Sequence, residues 1–245
     1  MRFITALLLA AATCGTAFAE DAPKPKWSGE VSAGSVVTSG NSNSSTYNAK
    51  GELVYQSERW RNTFNASSMK TETEDPATGD DITTAERYQV GNKTDFNFTE
   101  RDYAFLALEF EKDLVGPVRE RTSETAGYGR KILTGPEHVM EAELGVGSRQ
   151  TEAQGTGEKN TDLIGRGRLA YKWNFSETSY FGETIKVESG DSNTSSESVS
   201  ELRVSLVEKL FALASYTVRT NSDVPPGTKK TDTITALSLG WTFGK

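Results

Sequence analysis

Between Leu163 and Phe175 every second residue is apolar, aromatic or glycine. Leu163, Gly165, Gly167, Leu169, Tyr171, Trp173 and Phe175 fall on one side, and Arg166, Arg168, Lys172 and Asn174 fall on the other. A period of two marks an extended strand, whose successive side chains point to opposite faces. The same alternation runs through 47–55, where Tyr47, Ala49, Gly51, Leu53 and Tyr55 oppose Asn48, Lys50 and Glu52. It returns at 198–210, with Leu202, Val204 and Leu206 opposing Glu201, Arg203 and Ser205, and near the end, with Leu237, Leu239, Trp241 and Phe243 on one side. A strand that is polar on one face and apolar on the other is half buried. No segment carries a convincing helical period. The pattern predicts twelve strands, at 27–37, 45–56, 60–73, 83–98, 103–113, 121–134, 138–151, 161–175, 179–189, 196–209, 211–220 and 231–243.

Most of these segments are longer than the five or six residues usual in soluble sheets, and they supply the 9–11 residues that a tilted membrane strand needs. Their connections alternate in character. SGNSNSS, EDPATGDD, LVGPVRE, TEAQGTGEKN, GDSNTSS and NSDVPPGTKK are long and polar, whereas those near Ser57, Thr99, Gly135, Ser176 and Lys209 are tight. Short turns at one end and longer loops at the other characterise outer-membrane barrels, with the turns on the periplasmic side. An even-numbered meander also lets the first strand pair with the last, which removes both sheet edges. The expected fold is therefore an all-β, antiparallel up-and-down transmembrane barrel of about twelve strands. Aromatic residues gather beside the tight turns. Trp27, Trp60, Tyr103, Trp173, Phe175, Trp241 and Phe243 are expected to form an interfacial girdle.

Composition narrows the class. The chain has 245 residues, 27 basic and 34 acidic side chains and a net charge of −7, a balance that argues against nucleic acid as a partner. Residues 1–19 have the form of a secretory signal peptide: a basic start at Arg2, a short apolar run over 4–12, and Ala17-Phe18-Ala19 before Glu20. The expected organisation is a signal peptide over 1–19, a short polar segment over 20–26 and a barrel domain over 27–245. Cys14 is the only cysteine, so cleavage after Ala19 leaves a chain without thiols. The alternative, a lipoprotein cleavage at Cys14, lacks the usual leucine before it. The expected location is the outer membrane of a Gram-negative envelope.

Three stretches carry a family resemblance: WSGEVSAGSVVTSGNSNSSTYNAKGELVYQSERWRNTF, the run Arg219 to Gly227 (RTNSDVPPG), and the closing KKTDTITALSLGWTF. On these residues the chain resembles the bacterial salt-induced outer-membrane protein family, a domain family of unknown function. The resemblance implies an outer-membrane barrel with no established biochemical activity. One departure is the Gly244-Lys245 tail, which follows Phe243 where such barrels commonly finish on an aromatic residue.

Candidate chemistry is sparse. Lys50, Glu52, Arg130, Glu141, Arg166, Arg168, Lys172, Glu201 and Arg203 are expected to face the lumen, together with Arg87, Glu143 and Glu183, as cross-strand ion pairs or as a selectivity filter. Twelve strands enclose a modest interior, which long Arg and Glu side chains would fill. His138, the only histidine, would need a nearby serine and an orienting group to act as a hydrolase base. Ser148 on the same predicted strand is roughly 33 Å away at about 3.3 Å per residue. Asp191 and Asn193 resemble part of a calcium loop but lack its turn glycine.

The reading is an integral outer-membrane barrel of envelope-maintenance or salt-stress type, not an enzyme, with no catalytic, cofactor or metal residues. The alternatives are a narrow small-solute or ion channel, and a soluble periplasmic ligand-binding barrel or an outer-membrane lipid hydrolase. The expected partners are outer-membrane lipid, lipopolysaccharide and, during biogenesis, the barrel-assembly machinery.

Overall fold

The computed structural model describes residues 26–38, 43–224 and 229–244. The predicted signal peptide, Cys14 and the Lys245 end of the tail lie outside the described residues. The described residues form β1 (Lys26–Thr38), β2 (Ser44–Gln56), β3 (Trp60–Glu74), β4 (Asp81–Asn97), β5 (Asp102–Asp113), β6 (Val118–Thr134), β7 (His138–Ala153), β8 (Lys159–Asn174), β9 (Ser179–Gly190), β10 (Thr194–Val207), β11 (Leu210–Asn221) and β12 (Thr231–Gly244). Each strand pairs antiparallel with its sequence neighbours, and β1 pairs with β12 to close the barrel. Val31 lies opposite Trp241 at that seam, and Ala33 opposite Leu239.

The strands are strongly tilted. A row of paired residues that starts at Leu144 in the middle of β7 passes through Gly167, Val187, Ser196 and Thr220, and reaches Thr231 at the very start of β12. Such a climb is the stagger that closing a sheet requires.

The long–short alternation of connections is weaker than the sequence predicts. The strands continue into the polar segments: β3 ends at Glu74 and β4 begins at Asp81, so EDPATGDD shortens to 75–80. Likewise only 154–158 and 191–193 remain between β7 and β8 and between β9 and β10. The physical reason is hydroxyl pairing across strands at that end. Thr46 meets Thr71 at 3.1 Å, Thr73 meets Thr84 at 3.2 Å, Ser189 meets Thr194 at 2.8 Å and Thr220 meets Thr231 at 3.2 Å. Polar residues that look like loop in one dimension are thus strand rims.

The outward face is apolar and uncovered. Leu163 is 79% exposed, and Leu106, Leu108, Leu144, Val146, Leu237 and Leu239 are exposed beside it. Exposed aliphatic side chains spread around a closed barrel mark contact with something other than water. The inward face holds the buried residues. Tyr103, Phe105 and Ala107 form the buried apolar cluster, on the same side of β5 as Glu109 and Glu111. Glycines opposite the rings make room for them. Tyr103 pairs with Gly129 and Phe211 with Gly240, and the Phe105 ring lies over Gly145 of β7. A Cβ on Gly129 would lie 2.3 Å from the Tyr103 ring, and one on Gly240 2.2 Å from Cζ of Phe211. Cross-strand ring–glycine pairs of this kind fix register.

Candidate functional site

The interior is bridged by charge. Glu143, on β7, has a side chain with 0% exposure and is the hub. Its Oε1 accepts from the Tyr103 hydroxyl at 2.9 Å and faces Lys93 Nζ at 2.5 Å, while Oε2 accepts from Arg166 Nη1 at 2.9 Å. Arg168 Nη1 approaches Oε1 at 3.4 Å. Lys93 also holds Asp95 at 2.8 Å. Arg166 reaches on to Glu109 at 3.8 Å, and Lys186 donates to the same carboxylate. Cation–π contacts thicken this wall, with Lys93 Nζ 4.9 Å from the Tyr103 ring centroid and the Arg166 guanidinium 5.1 Å from that of Phe105.

Several pairs span the lumen rather than adjacent strands. Arg219 on β11 donates to Glu111 on β5, half the barrel away, and its Nε lies 2.9 Å from Glu197. Lys50 on β2 pairs with Glu201 on β10 at 2.7 Å, and Glu30 on β1 with Arg203 on β10 at 2.7 Å. Arg61 on β3 faces Glu141 on β7 at 3.8 Å. Apart from Glu197, which stands opposite Arg219 on the adjacent strand, each of these ions has a partner that only barrel closure delivers, which offsets part of the cost of removing it from water.

The two ends differ. At the loop end Arg149 is fully buried, with Nη2 donating to the Asn193 carbonyl at 2.5 Å and to Asp162 at 3.2 Å, which ties 191–193 down over the rim. Arg87 holds Asp113 there at 2.5 Å. Among these groups lies a cavity of about 20 Å³ lined by Arg87, Glu111, Arg121, Arg219 and Asp232, room for a single water. At the turn end Lys172 sits 4.0 Å from the Tyr180 ring centroid, and the Arg203 guanidinium lies 3.8 Å from that of Phe211. Beside β2 and β3 the lumen is less filled than at the Glu143 hub: Lys50 and Arg61 side chains keep 40% and 39% exposure.

Lys50, Glu52, Glu141, Arg166, Arg168, Lys172, Glu201 and Arg203 therefore point inward, as their strand parity requires. Arg130 does not. It shares the outer side of β6 with Tyr128, opposite Asp102, and pairs with that carboxylate at 3.0 Å at the turn end. Glu183 also points outward, on the side of β9 that carries Ile185 and Val187. Among the aromatics, Trp27, Trp60, Trp173, Phe175, Trp241 and Phe243 are exposed around the turn end, and Trp27–Tyr55 and Trp60–Phe96 pack as cross-strand ring pairs at 4.8 and 4.9 Å. Tyr103 is the exception: it is 1% exposed and lies in the lumen, because its parity on β5 is that of Glu109 and not of Leu106.

Sequence reasoning did not single out Lys93, Asp95, Glu109, Glu111, Arg149, Lys186 or Arg219 as site residues. The parity of Ala104, Leu106, Leu108 and Phe110 would have assigned Tyr103, Glu109 and Glu111 to the lumen, but nothing in one dimension pairs Glu111 with Arg219. His138 lies on the outer side of the turn end, with Nδ1 2.9 Å from the Tyr171 hydroxyl and its ring stacked near Trp173. Asn193 is engaged by Asn221 and Ser222. Among the described residues no group of three His, Cys, Asp or Glu side chains is placed to hold a metal.

The fold recurs in solved structures. The COG4313 outer membrane channel from Pseudomonas putida F1 superposes with a TM-score of 0.53 at 10% identity, over 93% of this chain and 100% of that one. The NanC porin gives 0.51 at 9% identity, over 89% and 99%. At these identities the likeness is one of fold. In sequence, Uncharacterized protein YdiY of Escherichia coli (strain K12) is 31% identical over 226 residues, covering 90% of this chain and 84% of that protein. The model of the family "Protein of unknown function, DUF481" matches residues 31–243, nearly the whole barrel, and the chain belongs to that family.

Proposed function

We propose that this chain is an integral outer-membrane barrel with a structural, envelope-maintaining role, exported through a cleaved signal peptide and closed to wide solute flow. On this reading the turn end and the chain termini face the periplasm, and the apolar belt meets outer-membrane lipid and lipopolysaccharide. The observation that carries it is the set of ion pairs that cross the lumen, Arg219–Glu111, Lys50–Glu201 and Lys93–Glu143, set within a belt of exposed aliphatic side chains. A porin with a water-filled channel keeps its inward charges on the walls. Here they meet in the middle. The family resemblance adds an association with salt stress. No catalytic step is assigned.

A narrow passage is the second reading, favoured by the incomplete filling beside Lys50, Arg61 and Asn65. One experiment separates the two. The protein, purified in detergent, is inserted into planar bilayers over a range of salt concentrations. A silent bilayer supports the closed barrel, small ion-selective steps support the passage, and large porin-like steps overturn both.

A further inference from the structure

The ladder that closes the barrel covers less than half of β1. Among the described residues, β1 is registered with β12 from Ser28–Gly244 to Ala33–Leu239, and no further toward the loops. Beyond that point 34–38 of β1 pair only with β2, and 231–238 of β12 only with β11. Every other junction is laddered along nearly all of its shorter strand, as β4–β5, β8–β9 and β10–β11 show. An unladdered edge at membrane depth leaves backbone groups without partners, which barrels ordinarily avoid by closing. Leu237, exposed on the outer face, stands just past the last ladder pair.

Two contacts hold this half of the junction. Gly34 lies against the β12 backbone, so close that a Cβ there would be 1.8 Å from the Leu237 carbonyl oxygen. On the lumen side Asn48 Nδ2 of β2 donates to Ser238 Oγ of β12 at 2.7 Å, reaching past β1. Asn48 Oδ1 is buried without a hydrogen-bond partner among the described residues. A side-chain latch thus stands where the other junctions have a backbone ladder.

The lumen wall behind the latch is apolar. Met69 pairs with Asn48 and Leu213 with Ser238, and Val36 and Ala236 share the inward parity of Gly34 and Ser238. Leu213 and Ala236 are buried there. Lys50 follows Asn48 on the same inward face, and its ammonium, held by Glu201, keeps partial exposure. An apolar wall beside an exposed ammonium matches a hydrocarbon chain with an anionic head. We propose that the loop half of the β1–β12 junction is a lateral gate, through which a single-chain anionic amphiphile of the fatty-acid class passes between the outer leaflet and the lumen. The chain lies against Val36, Met69, Leu213 and Ala236, and the head group lies at Lys50. The inference rests on the membrane placement and orientation proposed above, and it needs no wide bore.

Photolabelling tests it. The barrel in phospholipid vesicles is irradiated with a palmitate analogue that carries a diazirine at the chain end, and labelled residues are located by mass spectrometry. Label is expected on Met69 and Leu213 in the lumen as well as on the outward belt. Asn48→Ala removes the latch and is expected to raise the lumenal share about fivefold, the effect of one hydrogen bond. Cys14 is the only native cysteine and lies in the predicted signal peptide, so introduced thiols can be joined selectively. Ser35→Cys and Leu237→Cys, which a continued ladder would set opposite each other, are joined by a short bifunctional thiol reagent, and the lumenal label is expected to disappear. Joining Leu202→Cys to Ala214→Cys, opposite each other on the laddered β10–β11 junction, is expected to leave it unchanged. The same chain ending in an alcohol is expected to label the lumen less, and equal labelling would overturn the assigned head group. Label confined to outward residues, or a lumenal share indifferent to Asn48→Ala, would overturn the gate, and these two results do not depend on the joined variants. Recovery of the protein in the soluble periplasmic fraction would instead refute the membrane placement itself.

Discussion

Arg166 donates to Glu143 at 2.9 Å from the neighbouring strand, and the two side chains keep only 3% and 0% of their exposure. This is a shielded ion pair, and its hub carboxylate is also held by Lys93, Arg168 and Tyr103. Removing one member leaves the rest charged, buried and unbalanced. Glu143→Ala is expected to destabilise the barrel by about 3–5 kcal/mol, the usual consequence of breaking a buried pair from one side. Urea unfolding in phospholipid vesicles, followed by tryptophan fluorescence, measures it. A loss under about 1 kcal/mol would show that water reaches the hub and that the network is a surface one.

The bridge between β11 and β5 makes a different prediction. Arg219→Ala releases Glu111 and Glu197 and opens the lumen across its width. Conductance or liposome swelling is expected to rise above that of the unaltered protein. Arg130→Ala, which removes an outward arginine of the turn end, is expected to leave it unchanged. Equal effects from the two variants would contradict the opposite placement of these arginines.

Gly240 is small because Phe211 lies over it. A Cβ there meets Cζ at 2.2 Å, and the ring, buried and held under the Arg203 guanidinium, has little room to retreat. Gly240→Val is expected to cost about 1–3 kcal/mol, as overpacking of a filled interior does. The combination with Phe211→Leu should recover part of the loss. Absence of any recovery in the double variant would detach the glycine from the ring.

Orientation can be checked with one side chain on each face. Leu144 faces outward on β7, and Asn65 faces the open side of the lumen on β3. Leu144→Arg is expected to destabilise by about 2–4 kcal/mol, the cost of a cation near the middle of a lipid belt. Asn65→Arg is expected to be tolerated and to shift ion selectivity toward anions if the barrel conducts. Equal tolerance of both substitutions would remove the belt.

Much of this architecture is legible one residue at a time. The two-residue period in 163–175 and 47–55 specifies which side chains share a face, and its repetition specifies twelve strands to within a few residues at each end. The same period, followed strictly, also assigns Tyr103 to the lumen and Arg130 to the outside. Reading Tyr103 as a girdle residue and Arg130 as a lumen charge gave residue type more weight than parity. What one dimension cannot supply is the partner across the barrel. Strand order alone brings β11 opposite β5, and only closure with a particular tilt sets Arg219 level with Glu111 and Lys50 level with Glu201. Local alternation is fixed by backbone geometry and therefore written in neighbouring residues. Ion pairing across a lumen depends on strand number, stagger and side-chain reach acting together, so which inward charges meet across the barrel was decided by the tertiary structure.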